Sequence, residues 1–153
     1  VCTYVDTSDR ITSEHVKKVI GAYREFSAIE LKEALMKRDQ QLSYRVAEQI
    51  LQHTKGDTGE LIRTVGFFYS VFLNIWQIRR LMEKGLPKKQ VQAGMGVKND
   101  WYFNKLWQDA AKYQLAEMPR IFEALLDADR SVKGFSTLDS TSILFLLIKR
   151  ILG

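Results

Sequence analysis

The stretch Leu61 to Lys84 reads LIRTVGFFYSVFLNIWQIRRLMEK. Within it Leu61, Ile62, Val65, Phe68, Tyr69, Phe72, Leu73, Trp76 and Leu81 recur at the spacing that lines up side chains on one side of an α-helix. Asp57 stands ahead of the run as a cap, and Glu60 follows at the distance of a capping-box glutamate. Gly85 and Pro87 stop it. At about 1.5 Å per residue such a helix spans roughly 35–40 Å. Its aromatic content predicts the central, most buried element of the fold.

The neighbouring segments read as helices around that rod. Upstream, Thr12 or Ser13 can cap a short helix striped by Val16, Val19 and Ile20 and ended by Gly21. Ser27 with Glu30 fits a capping box, with Phe26 and Leu31 in the staple positions. Leu31, Ala34 and Leu35 extend that buried face up to a break at Arg38-Asp39. Asp39 then caps a helix striped by Leu42, Val46, Ile50 and Leu51 that ends before Gly56. Downstream, a short helix from Lys88 to Ala93 and a turn at Gly94-Met95-Gly96 lead into a helix from about Asp100 to Tyr113. Its inner face is Leu106, Ala110 and Tyr113. A helix from about Met118 to Lys133 follows, with Pro119 in its first turn and Asp129 and Lys133 at ion-pair spacing. Gly134 closes it, and Asp139 to Leu152 forms the last helix. No strand-like alternation or internal repeat is visible. The expected class is all-α, a helical bundle around a long central helix.

Composition agrees. The 153 residues are 46% hydrophobic and 27% charged, enough apolar surface for a sizeable core, which excludes a disordered or collagen-like chain. Nine glycines and two prolines are few helix breakers for this length. With Cys2 as its one cysteine the chain cannot close a bridge within itself, so a disulfide scaffold is excluded. The net charge of +5 favours anionic partners without identifying one. Val1 to Val5 runs into Asp6 without the basic leader of a secretory signal, and the chain reads as part of something longer. The apolar run Ile143 to Ile148 is far shorter than the roughly 20 residues that span a bilayer, so no membrane is expected.

Candidate chemistry is sparse. Gly94-Met95-Gly96 lacks the third glycine and the preceding strand of a dinucleotide-binding turn. His15 and His53 are isolated from one another and from Cys2, so no metal or nucleophile spacing arises. His53, near a helix end, is placed to meet terminal carbonyls. Asp127 and Asp129, two apart on a helix, do not share a face and read as solvated surface. No catalytic residue, cofactor or metal is expected. One segment stands out by charge: Arg79, Arg80, Lys84, Lys88, Lys89 and Lys98 face a lone acid, Glu83. Its layout of short helix, glycine turn and helix with Trp101 and Tyr102 near the start is similar to a helix-turn-helix. A solvated basic rim on two bundle helices is the simpler reading of the same layout.

The order of these segments resembles the C-terminal region of the delta subunit of the bacterial DNA polymerase III clamp loader. Ile11-Thr12-Ser13-Glu14-His15-Val16, followed by Arg24-Glu25-Phe26, is similar to that family's junction before the helical domain. Leu31 to Leu35 with Asp39 follows as in the family. The aromatic helix leads into Gly85-Leu86-Pro87 and then Val91-Gln92-Ala93-Gly94-Met95-Gly96-Val97, again in family order. Leu125-Leu126-Asp127-Ala128-Asp129 with Lys133-Gly134 resembles the family's ending. Asn99, Asp100 and Trp101 replace a proline and phenylalanine common there, and Gln92 interrupts an apolar position.

The resemblance implies an organisation. Residues 1–21 would be the tail of an AAA+-like helical lid and residues 22–153 a collar, the oligomerisation domain. It implies partners: the delta-prime and tau/gamma loader subunits directly, and the sliding clamp and primer-template DNA through the full complex. It also implies a cytoplasmic, non-enzymatic role for this part of an ATP-dependent machine. Tyr102, Trp107, Phe135 and Phe145 are the candidate interface anchors, because large aromatics carry much interface energy. A DNA-binding regulator reading the duplex with Lys88 to Lys105 is the rival, and a small helical enzyme would need a polar pocket around His15 or His53.

Overall fold

The computed structural model describes residues 27–153. The expected helix from Thr12 to Ile20, the staple residue Phe26, Cys2, His15 and the proposed lid tail 1–21 lie outside the described residues. Seven α-helices follow one another among those described. They are α1 (27–36), α2 (Gln40–Thr54), α3 (Thr58–Glu83), α4 (Lys88–Met95), α5 (Asp100–Ala110), α6 (Met118–Arg130) and α7 (Ser140–Leu152).

Local chemistry sets their ends. Asp39 accepts from the Leu42 amide at 3.0 Å, Asp57 from Gly59 at 2.8 Å, Asn99 from Tyr102 at 2.9 Å and Asp139 from Ser142 at 2.7 Å. Each satisfies a backbone donor that a helix start leaves without an intrahelical partner. The Asp139 carboxyl is held below the usual carboxylate range by those bonds to Ser142. Ser27 is already helical and buried, so it does not stand ahead of α1 as a cap.

α3 is continuous over 26 residues and occupies the middle. It packs against α4, α5, α6 and α7. By length and composition alone it is apolar enough to cross a bilayer. Here its apolar residues serve a protein core. Leu61, Val65, Phe68, Phe72, Ile75 and Ile78 are buried, whereas Ile62 and Tyr69 are exposed. The buried stripe therefore runs through Ile75 and Ile78 and leaves two of the expected positions at the surface. A helix ringed on several sides but not all keeps one apolar strip open.

The remaining helices close the bundle. α7 packs on α2 and α6, and α5 lies on α3. The Ser140 hydroxyl donates to the Gly56 carbonyl at 2.8 Å, fastening the start of α7 to the turn between α2 and α3. Tyr44 of α2 meets Phe145 of α7 edge-on, with ring centroids 5.2 Å apart. Arg120 of α6 reaches the end of α7, donating from Nε to Arg150 O at 2.8 Å and from Nη2 to Ile151 O at 3.1 Å.

Three boundaries differ from the sequence reading. α4 runs through Gly94 and Met95, because Gly96, at φ 69°, is the residue that takes the left-handed cap. α5 stops at Ala110, and Tyr113 is buried from the turn that follows. α6 ends at Arg130 and passes into a π-helical turn, Ser131–Phe135, in which Gly134 has φ 97°. The Lys133–Asp129 ion pair expected there forms at 2.9 Å.

Candidate interaction surfaces

The four candidate anchors fall into two kinds. Tyr102, in the first turn of α5, is 46% exposed, and Phe135, in the turn after α6, is 82% exposed. Trp107 and Phe145 are half-buried and packed on the core. Trp107 tilts against Phe103 at 6.0 Å, and Phe145 is the ring that meets Tyr44. Tyr102 and Trp107 belong to a helix lying on α3, and Phe145 to one lying on α2 and α6. The anchors thus sit at separate places on the bundle.

Trp101, named in the sequence only as part of the helix-turn-helix layout and not as an anchor, is 70% exposed. The signal was present. Five positions before the buried Leu106, at roughly 100° per residue, Trp101 points about 140° away from the core. Also missed was a groove between α3 and α6, with a volume of about 290 Å³. Val65, Gly66, Tyr69, Phe122 and Leu126 line it, with Asp129 at its rim. Tyr69 and Phe122 meet edge-on at 5.9 Å there. Gly66 adds no side chain to it, and a Cβ there would meet nothing within 4 Å.

The basic segment is divided by the fold. Arg79 turns toward the bundle and donates to Gln114 Oε1 at 3.3 Å, while its Nε is buried without a partner. Arg80 lies over the Trp76 ring, 4.9 Å from its centroid. Arg80 and Lys84 line a cleft of about 370 Å³ between α3 and α4, together with Trp76, Gln77, Leu81, Gly94 and Met95. Lys88 sits over Trp107 at 5.8 Å. Lys89 and Lys98 are exposed. Among the described residues none of the six is paired with a carboxylate, in contrast to Lys32, Arg38, Arg63, Arg120, Lys133 and Arg150, which all are. These six cations are therefore not neutralised by direct ion pairs. The expected helix–turn–helix layout is present as α4, Gly96 and α5, with Val91, Phe103 and Leu106 turned into the core.

Titratable groups elsewhere hold the fold together. Lys32 of α1 reaches Asp109 of α5 at 3.1 Å and Glu33 at 3.3 Å. Burial is the largest influence on the Asp109 carboxyl and, with Glu33 nearby, leaves it above its ordinary value although Lys32 pulls it down. Burial pulls the Lys32 ammonium down, yet Asp109 and Glu33 together hold it above its ordinary value. We take the ion pair as formed at neutral pH, because both oxygen partners stay within contact of one ammonium. Asp127 and Asp129 face separate cations, Arg150 at 2.6 Å and Lys133 at 2.9 Å. His53 Nδ1 lies 2.9 Å from Gln49 O near the end of α2. No group of three or more His, Cys, Asp or Glu side chains among the described residues could hold a metal.

Comparison with known proteins agrees with this architecture. Residues 25–150 match the family model described as DNA polymerase III delta subunit, C-terminal domain. No curated protein matches the chain. A solved structure, the Bacillus subtilis DNA clamp loader delta protein (YqeN), superposes with a TM-score of 0.67 at 22% identity. The superposition covers 99% of this chain and 43% of that one, so the chain spans less than half the length of its structural relative. At that identity the likeness is one of fold.

Proposed function

The chain belongs to the family formed by the C-terminal domains of DNA polymerase III delta subunits, and from that premise we propose that it is the collar of a clamp-loader protein. Residues 22–153 are the oligomerisation domain in this reading, and residues 1–21 the tail of a lid that joins it to an ATPase-like part. The delta-prime and tau/gamma subunits are its direct partners. The sliding clamp and primer-template DNA are reached through the assembled loader, in the cytoplasm. This part of the protein works by being held against neighbours, not by transforming a substrate.

The observation that carries the reading is the family match across residues 25–150. The surface supports it: Tyr102 and Phe135 leave large aromatic area in water, which a stable neighbour would cover. The test is co-purification of the full-length protein with the other loader subunits. The expected result is a stable complex, weakened by Tyr102→Ala or Phe135→Ala with helical content unchanged. Failure of the full-length protein to associate with any other part of the loader overturns it.

A further inference from the structure

Trp76, Gln77, Arg80, Leu81 and Lys84 lie along one face of α3 and, with Gly94 and Met95 of α4, line a cleft of about 370 Å³. From Trp76 to Lys84 that face is roughly 12 Å long at about 1.5 Å per residue, the length of roughly four residues of extended chain. Its chemistry is of two kinds. Arg80 and Lys84, one helical turn apart, have no carboxylate partner among the described residues. Leu81 and Met95 supply aliphatic surface. Met95 is unbranched and repacks readily around an incoming side chain. Gln77 is exposed beside them, and its amide offers both a donor and an acceptor to a main chain.

We propose that this cleft binds an acidic peptide segment of a partner protein, one that carries an aliphatic side chain between carboxylates. The side chain settles on Leu81 and Met95, the carboxylates meet Arg80 and Lys84, and Gln77 bonds to the main chain. Arginine suits this role, because its planar fork takes a carboxylate through two parallel bonds. The Trp76 ring already holds the Arg80 guanidinium in place, 4.9 Å from the ring centroid. The same contact argues against a nucleic-acid strand. Strands are held by stacking bases on aromatic rings. Here Arg80 covers the Trp76 ring, and no second ring lines the cleft among the described residues. A purely anionic partner would leave the aliphatic floor in water, and a purely apolar one would leave both cations facing no charge. A short acidic segment with one apolar anchor satisfies both halves.

The proposal is separate from the assembly reading, because peptide binding is measured on the full-length protein alone and assembly by retention of the other loader subunits. The probe is a fluorescein-labelled peptide of about eight residues, glutamates around a central leucine, followed by anisotropy at low salt. The wild type should bind it. R80A/K84A should weaken binding about tenfold or more. Arg80→Lys should weaken it about threefold, since an ammonium keeps the charge and loses the fork. Met95→Ser should weaken it about fivefold, and a peptide with serine in place of leucine should lose a similar factor against the wild type. Lys133→Ala, in a formed ion pair outside the cleft, should leave binding unchanged. Circular dichroism checks that each variant is folded. Three results overturn the proposal: R80A/K84A binding as the wild type does, the serine peptide binding as tightly as the leucine peptide, or an unlabelled oligothymidylate of equal charge displacing the probe as well as the unlabelled peptide does.

Discussion

The buried hydroxyl of Tyr113 donates to the Leu35 carbonyl at 2.6 Å, so the turn after α5 is tied to the end of α1 across 78 positions of sequence. That carbonyl also accepts the Arg38 amide at 3.1 Å. One of the orphan acceptors at a helix end is thus satisfied from both a local and a distant donor. The Tyr113 ring stands edge-on to Phe72 at 5.2 Å, and Arg38 covers it at 4.3 Å.

Alkaline pH should act through this hydroxyl. Its pKa is pushed up from 10.0 to about 12, chiefly by burial. The folded state therefore holds the proton more tightly than the unfolded chain does. The stability that follows is fully present below about pH 10 and is lost as pH rises through about 12. Tyr113→Phe should cost about 1–2 kcal/mol at neutral pH. In urea titrations across that window the wild type should lose more stability than the variant. Parallel losses in the two proteins would show that Tyr113 does not control the transition.

Phe72→Ala tests the central helix. Phe72 is fully buried in the middle of α3 and backs Tyr113. The truncation should cost about 3–5 kcal/mol, from lost burial and the cavity left behind. Ile62→Ala, on the open strip of the same helix, should cost less than about 1 kcal/mol. Chemical denaturation of both variants checks the contrast, and equal costs would contradict the placement of the buried stripe.

The Lys32–Asp109 pair should behave as a unit. Asp109→Ala alone leaves a half-buried ammonium with Glu33 as its remaining carboxylate, at a cost of about 2 kcal/mol. Replacing both with apolar residues, Lys32→Met with Asp109→Leu, should bring stability back to within about 1 kcal/mol of wild type. A double-mutant cycle measures the coupling, and simple additivity would mean the pair is solvated and weak.

Arg120 acts as a clasp on the end of α7. Arg120→Ala removes donors from Arg150 O and Ile151 O, and should speed amide exchange in the last turn of α7 while leaving α3 protected. The loss should be about 1 kcal/mol. Arg120→Lys should restore little, since an ammonium cannot span two carbonyls as the planar fork does.

The fold was legible in the sequence where its causes are local. Asp39, Asp57 and Asp139 announce helix starts a few residues away, and the aromatic run from Leu61 announces the rod. What was not legible depends on neighbours distant in sequence. Gly94 and Gly96 compete to end α4, and the left-handed conformation at Gly96 decides it. Tyr113 was placed on the inner face, but it gets there from a turn and not from α5. The surfaces were less legible still. Which ring of α5 stays wet depends on what covers it, so Trp107 packs on Phe103 while Trp101 remains exposed. The segment rich in lysine and arginine showed its charge in the sequence. Its division into a spent Arg79 and an available Arg80 and Lys84 is a property of three dimensions.

The Ser140–Gly56 fastening has a consequence for synthesis. Helix α2 finds its packing partner in residues translated some 84 positions after Gly56. The contact between α2 and α7 can therefore form only once Ser140 to Leu152 has left the ribosome. Until then the face of α2 that α7 covers is open to chaperones and to other nascent chains. Synonymous codons that slow elongation ahead of Ser140 should prolong that vulnerable interval.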